Sequence, residues 1–414
     1  MRKQQKDDPG IDDRDGGTLT LPGQHEESSP DYDFRVAGED TPTQMLGGNT
    51  PPYGVPVVPP SAVPPYEPAA EPSQEPPYDP PSYEPPTFGG PSAAAPERPV
   101  RDRLWPHLIW EIVLAAAVVT EVLLVLAQDD QVFSGDAGPA LMLWVATAIL
   151  LGSAAALSLR GGMPNIAIGA IAIAAGADYA WLVGAEGHPF GEALAMALAG
   201  GACAGLVIAL ISTAFGVPSW AVSLGVAGVL SGVVPALVGY DARPVGSETP
   251  NVSVSAEWWL IGAAGISVLG GLLLALPSFR RFVGRSRPTG DPAKRVGFVA
   301  SVAAAGALAG SGALAASAGL LDAANRGTSA GGYTGMAELA MVGFSVALLG
   351  GVSAHGRRGG IFGVVLAATL LGLVRLHLDL VGADKWLGAV ISGAAIILGL
   401  AVTRVMERLG RRPV

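Results

Sequence analysis

Charged side chains inside long apolar stretches are the residues of this sequence most able to do chemistry. Asp178 stands beside Tyr179 and Trp181, so an acid is flanked by aromatic rings. A polar solute could be held there by hydrogen bonds to the acid and by contact with the ring faces. An interfacial aromatic belt with a solvated acid would produce the same pattern, and both interpretations stay open.

A second group of charged residues lies further along the chain. Arg375, His377 and Asp379 cluster near one end of an apolar stretch, and Arg375 and Asp379 stand four residues apart. This spacing brings the two onto one helix face, where they form either a structural ion pair or a gate for a substrate. Glu338 begins the preceding stretch and is either a substrate residue or an acid favoured by a helix N-terminus.

Glu111 and Glu121 lie ten residues apart in the first apolar stretch. On an α-helix this separation leaves them about 80° apart around the axis, so they share a face. A proton relay would use such a pair, although Glu111 also lies close enough to one end to be solvated.

Several kinds of chemistry lack support. No Gly-x-x-x-x-Gly-Lys-Ser/Thr phosphate loop occurs, so we expect no ATP hydrolysis by this chain through that device. The five histidines have no paired spacing typical of metal ligands, and Cys203 is the single cysteine. The expectation is a protein that is not an enzyme and holds neither a metal nor a cofactor.

The composition divides the chain into two parts. Residues 1–104 contain 22 of the 34 prolines, and residues 1–103 carry 18 acidic against 8 basic residues. Pro-Pro-Tyr and Tyr-Glu-Pro repeats in this part predict a disordered cytoplasmic tail, which is either a solvated extension or a docking ligand. The remainder is charge-balanced, which removes the usual argument for a nucleic-acid partner.

Residues 105–414 are built of apolar stretches about 20 residues long, the length that crosses a bilayer as a helix. We therefore predict an all-α integral membrane domain with ten transmembrane helices and the lipid bilayer as its surroundings. The stretches cover 107–127, 139–158, 166–184, 192–214, 219–239, 258–276, 296–317, 336–354, 361–380 and 386–404.

The basic residues are distributed unequally between the two sets of loops. One set holds sixteen of them, and the opposite set holds only Arg243, Arg326 and Lys385. Positive residues accumulate on the cytoplasmic side of membrane proteins. This asymmetry predicts a plasma membrane protein with both termini in the cytoplasm.

Several spans are interrupted. Glycine and proline precede the third span at 161–165 and the fifth at 216–218, and Gly350-Gly351 interrupts the eighth. Irregular backbone at membrane depth is tolerated where protein or a watery cavity satisfies it. We therefore expect a solute path beside these breaks, near Asn165, Ser219 and Ser223.

Four segments in order carry a resemblance to a known family. Residues 348–363 read Leu-Leu-Gly-Gly-Val-Ser-Ala-His-Gly-Arg-Arg-Gly-Gly-Ile-Phe-Gly, which resembles a Gly-Gly-x-Ser-x-x-Gly-x-Arg-Gly-x-x-x-Gly run. Residues 161–170, 217–225 (Val-Pro-Ser-Trp-Ala-Val-Ser-Leu-Gly) and 305–312 (Ala-Gly-Ala-Leu-Ala-Gly-Ser-Gly) resemble further segments of the same proteins. These are the permease subunits of ABC importers of the ribose and simple-sugar type, whose superfamily includes nucleoside and branched-chain amino acid permeases.

The resemblance implies a permease that moves a sugar or related small polar nutrient by alternating access. Its implied partners are cytoplasmic ATPase subunits that use ATP, an extracytoplasmic substrate-binding protein, and a second permease copy or paralogue. Basic loops would face the ATPase, and their residues are Arg280, Arg281, Arg285, Arg287, Arg357 and Arg358.

The chain departs from the family at two places. The family's Asp after Gly-Gly-Ile has no counterpart in residues 163–165, which are Met-Pro-Asn. The segment 277–295 is shorter than the family's coupling segment, and its prolines predict that it forms no good helix. Two other functions remain open: a non-transporting membrane scaffold that docks partners through its tail, and a proton-coupled transporter that uses Glu121 or Asp178.

Overall fold

The computed structural model describes residues 105–238, 255–286, 297–328, 333–356 and 359–410. Within these ranges the regular elements are α-helices. They are α1 (Trp105–Gln128), α2 (Ala137–Arg160), α3 (Ile168–Gly184), α4 (Phe190–Ala214), α5 (Ser219–Val238), α6 (Ala256–Ala275), α7 (Pro277–Gly284), α8 (Phe298–Arg326), α9 (Tyr333–Leu349), α10 (Gly363–Leu380) and α11 (Trp386–Gly410).

The ten longer helices coincide with the ten predicted spans, and the fold is an all-α bundle of membrane type. In the described part of the chain, eight helices are long and apolar enough to cross a bilayer, and α3 and the 335–349 stretch of α9 are shorter apolar helices. These lengths follow from the hydrocarbon thickness that a helix must cross.

The interior of the bundle contains α2, α3, α8 and α9, and the other long helices surround it. In the most apolar stretch of α2, 67% of the residues are buried inside the protein, whereas the figure for α6 is 11%. Small residues allow α4 to approach the inner helix α8 closely, because a β-carbon added at Gly201 of α4 would lie 2.5 Å from the carbonyl oxygen of Gly312 of α8. Exposed apolar side chains on the outer helices are suited to contact with lipid.

Two of the predicted breaks end their helices in the same way. Gly162 follows α2 with φ 65°, and Gly351 follows α9 with φ 82°, a left-handed conformation that favours glycine. At each end the amide of this glycine and the amide of the following residue donate to carbonyl oxygens of the last turn. Met163 N lies 3.0 Å from Ser158 O, and Val352 N lies 3.0 Å from Ala347 O. The glycines therefore stop these helices at defined residues.

The expectation that 277–295 forms no good helix is wrong for its first part. Pro277 begins the eight-residue helix α7, which packs against α6 and α8. Proline is favoured at the first position of a helix, where its missing N–H has no intrahelical partner to lose. The prolines at 288 and 292 lie outside the described residues, after α7 has ended.

Candidate functional site

A cavity of about 550 Å³ lies among α2, α8, α9, α10 and α11. Its walls combine apolar residues such as Met341, Val342 and Leu371 with charged groups. The charged residues that line it are Arg326, Glu338, Arg375, Asp379, Asp384 and Lys385. Three of the predicted site residues, Glu338, Arg375 and Asp379, are therefore brought together here.

The charged groups gather because helix ends meet at this cavity. Arg326 is the last residue of α8, and Glu338 lies in the second turn of α9. The connection between α10 and α11 turns at Gly382, whose φ is 67°. Asp384 and Lys385 then follow, directly before α11. Local helix starts and stops thus determine which residues reach the cavity.

Arg375 lies between an acid and an aromatic ring. Its Nη1 atom is 3.9 Å from Glu338 Oε1, and its guanidinium carbon lies 5.6 Å from the centre of the Trp144 ring. A cation over an aromatic face is attracted by the ring quadrupole. Arg375 thus contacts residues of α9 and α2 and not the expected intrahelical partner Asp379. Helix packing brings these two residues next to it.

Two other charged residues of the cavity lining bond within their own segments. Arg326 Nε donates to Asp322 Oδ1 at 3.0 Å, one turn earlier on α8. Trp386 Nε1 donates to Asp384 Oδ2 at 3.3 Å. Because these contacts are local, they hold the two side chains near the cavity independently of the Arg375–Glu338 pair.

His377 lies on α10 outside the cavity lining and faces α1. Its Nδ1 atom is 2.7 Å from Glu121 Oε1, and the two side chains are 25% and 15% exposed. An acid and an imidazole at this distance can share a proton. The pair joins α1 to α10 across 256 positions of sequence.

Glu111 also contacts α10, as Glu121 does. Its Oε1 atom accepts hydrogen bonds from Phe362 N at 2.9 Å and Gly363 N at 3.2 Å. These amides belong to the start of α10 and have no intrahelical acceptor, so the carboxylate caps that helix. Glu111 and Glu121 therefore bind opposite ends of α10. Their ten-residue spacing alone does not predict these partners.

Asn165, Ser219 and Ser223 come together at the connection between α2 and α3. Asn165 Nδ2 donates to Ser311 Oγ of α8 at 3.2 Å, and Asn165 Oδ1 accepts from Ala167 N at 3.1 Å. Ser223 Oγ accepts from Ile166 N at 2.9 Å. Ser219 Oγ donates to the carbonyl oxygen of residue 164 at 3.3 Å. These predicted pathway groups therefore bond to the irregular backbone and to Ser311 of α8.

This connection and the cavity lie at different levels of the bundle. Asn165 contacts Ser311, whereas the cavity reaches Arg326, 15 residues further along α8. At 1.5 Å per residue the two regions are about 22 Å apart along that helix.

Asp178 and Trp181 occupy the last turns of α3, and neither is among the described residues that line the cavity. Asp178 is half-buried, and Trp181 packs against the apolar core. The neighbouring Tyr179 is fully buried, with its ring edge-on to Phe190 at 6.1 Å between centres.

The basic residues assigned to the coupling loops are partly described. Arg280 and Arg281 lie on α7 and Arg285 follows it, with Arg281 and Arg285 exposed. The buried Ser286 donates its hydroxyl to Gly161 O at 2.7 Å, so the end of α7 touches the α2–α3 connection. The predicted residues Arg287, Arg357 and Arg358 lie outside the described ranges.

Within the described residues, no three His, Cys, Asp or Glu side chains are arranged to hold a metal ion. Comparison with family models, with curated proteins and with solved structures finds no match to this chain.

Proposed function

We propose that this multi-span protein is the permease subunit of an ABC-type importer for a small polar nutrient, a sugar or a related solute. The observation that carries the proposal is the charged cavity that enters the bundle among α2, α8, α9, α10 and α11. Polar and charged groups within membrane helices are costly unless they serve a partner or a path. The four sequence segments that resemble sugar permeases support the same function.

The cavity would be the outer entrance of the path. Arg326 and Lys385, two of the three basic residues of the sparsely basic loop set, line it, whereas α7 carries basic residues of the opposite set. Under the positive-inside rule the cavity then opens away from the cytoplasm of a plasma membrane. Both chain termini would be cytoplasmic. An extracytoplasmic binding protein would deliver the solute to this end.

The end of α7 would transmit the conformational change of the ATPase subunits to the solute path. Its exposed Arg281 and Arg285 are suited to an acidic surface, and Ser286 bonds directly to the backbone at Gly161. A shift of α7 would therefore act on the α2–α3 connection, which also donates hydrogen bonds to Ser223 of α5 and Ser311 of α8. A second permease copy or a paralogue would complete the assembly.

The test is purification of the full chain from its native membrane, followed by mass spectrometry of the proteins that remain with it. The expected result is a stoichiometric ATPase and a binding protein, with ATP-dependent uptake after reconstitution in liposomes. Ser286→Ala should lower uptake while leaving solute binding at the cavity unchanged. The proposal fails if the intact protein associates with no ATPase and its uptake does not depend on ATP.

Proton-coupled transport is a second candidate, and the His377–Glu121 contact at 2.7 Å favours it. Acid and imidazole side chains that meet inside a membrane bundle are the groups from which proton paths are built. Uptake that stops when the proton gradient is collapsed, continues without ATP, and is lost in His377→Gln would establish this mechanism in place of the importer.

The scaffold alternative depends on the Pro/Tyr tail, which lies outside the described residues. Deletion of residues 1–100 separates it from transport. Full uptake by the shortened protein supports the transporter, whereas unchanged membrane insertion with loss of partner binding and no uptake by either form supports the scaffold.

A further inference from the structure

The charge arrangement of the cavity suggests which kind of solute it accepts. Among the described residues, three cationic and three anionic side chains line it. A solute with one net charge would meet like charges on the same wall, and the cost of that repulsion rises as water is excluded. A solute that carries both charges adds no net charge to the cavity.

The Arg375–Glu338 pair is suited to being opened by such a solute. The nitrogen-to-oxygen distance of 3.9 Å exceeds the 2.7–2.9 Å of a strong charge-assisted hydrogen bond. The two side chains are 52% and 62% exposed, so the pair contributes little to stability. Both groups can therefore exchange their mutual contact for contacts with a ligand at a small cost.

Trp144 argues against a neutral sugar as the preferred ligand. Sugars are commonly held by the open face of an aromatic ring, but the guanidinium of Arg375 lies over this ring at 5.6 Å. The guanidinium is in turn a good partner for a carboxylate, because its N–H groups match the two oxygens. The apolar side chains of Met341, Val342 and Leu371 offer a surface for the rest of the solute.

We propose that the cavity binds a small zwitterion, with the anionic group of the ligand on Arg375 and its ammonium group on Glu338. This inference rests on the proposed import of a small polar nutrient and assigns a doubly charged solute to it in place of a sugar. Two sources supply the chemistry: a free amino acid, or the headgroup of a zwitterionic lipid from the surrounding bilayer.

The first experiment measures binding to the purified full-length protein in detergent by isothermal titration calorimetry. The probes are L-leucine, 4-methylpentanoate, which lacks the ammonium group, 3-methylbutylamine, which lacks the carboxylate, and D-ribose. We expect leucine to bind at least about tenfold more tightly than either singly charged analogue, which is the discrimination that one charge contact supplies. Tighter binding of ribose, or equal binding of all four probes, would overturn the inference.

A glycerophosphoethanolamine probe distinguishes the two sources. If it binds and leucine does not, the zwitterion is a lipid headgroup; if leucine binds more tightly, it is a free solute. Binding of neither compound, by protein whose thermal unfolding is cooperative, contradicts the proposal.

Variants assign the binding to the two side chains. Arg375→Gln and Glu338→Gln should each weaken leucine binding about tenfold or more. Glu192→Gln, which removes an exposed acid of α4 that contacts His188 outside the cavity, should leave binding unchanged. Wild-type affinity in both cavity variants refutes the assignment.

Transport measurements separate this inference from the proposed function. ATP-dependent uptake of ribose that both cavity variants retain would refute zwitterion binding in the cavity while supporting the importer. Charge-dependent leucine binding without any uptake would support the zwitterion site and refute the importer.

Discussion

Glu111 provides a sharp test of how α1 is attached to the bundle. The residue is 8% exposed, and its carboxylate accepts two backbone hydrogen bonds from the start of α10, at 2.9 and 3.2 Å. Glu111→Ala leaves both amides without this acceptor. The amide of buried Gly363 loses about 2 kcal/mol, and that of Phe362, whose side chain is exposed, about 1 kcal/mol. We expect the free energy of unfolding to fall by about 3 kcal/mol.

Glu111→Gln separates the charge from the hydrogen bonds. The amide oxygen can still accept from both N–H groups, so only the attraction between the negative charge and the helix N-terminus is lost. That attraction is worth about 1 kcal/mol in a partly buried site. The Gln variant should therefore lie between the wild type and the Ala variant.

The assay is equilibrium unfolding in mixed detergent–SDS micelles, with hydrogen exchange of the Phe362 and Gly363 amides as a local readout. Exchange at these two amides should accelerate in the Ala variant before other helices lose protection. The exposed Glu192→Gln is the matched control and should change stability by less than about 0.5 kcal/mol. If Glu111→Ala behaves like this control and exchange at α10 is unchanged, the capping role is refuted.

Further predictions concern helix contacts elsewhere in the bundle. Gly201→Val should destabilise the protein by about 2 kcal/mol because its side chain meets α8, whereas Gly200→Val, with nothing within 4 Å of its β-carbon position, should be nearly neutral in thermal unfolding. Asn165→Ala should cost about 2 kcal/mol in SDS unfolding, since it leaves the amide of Ala167, directly before α3, and the hydroxyl of Ser311 of α8 without their bonds; a loss below about 0.5 kcal/mol would contradict this. A double-mutant cycle between His377 and Glu121 should return a coupling free energy of about 1 kcal/mol, and additive single effects would show that the contact is not energetically coupled.

The candidate site was only partly accessible from sequence. Glu338, Arg375 and Asp379 were predicted from their charge in apolar surroundings, and all three line one cavity. Arg326 and Lys385 were missed as site residues, although both belong to the three bases of the sparsely basic loop set. Their rarity on that side was the signal that could have identified them.

Asn165, Ser219 and Ser223 illustrate a different limit. The glycines and prolines around them predict a break in the helices, and the break occurs where expected. Whether polar groups at a break face a solute or the protein depends on what the neighbouring helices supply. Here Ser311 of α8 and the hydroxyls of α5 are within hydrogen-bonding distance of the connection.

Helix positions and ends are determined by local sequence in this protein. Runs of apolar residues specify the ten long helices, of which eight reach bilayer length, and glycines that adopt positive φ stop α2 and α9. The prolines at 288 and 292 argue against a helix in the segment 277–295. Even so, α7 begins with a local signal, because Pro277 occupies its first position.

The partners of the charged side chains are determined only by the tertiary structure. The ten-residue spacing of Glu111 and Glu121 predicts a shared face, but their contacts lie more than 250 positions away on α10. Hydropathy and capping act between residues a few positions apart, so they can be recognised in the sequence. The rotation of each helix about its axis depends on close contacts such as Gly201 against Gly312, and that rotation decides which acid meets which amide, imidazole or guanidinium.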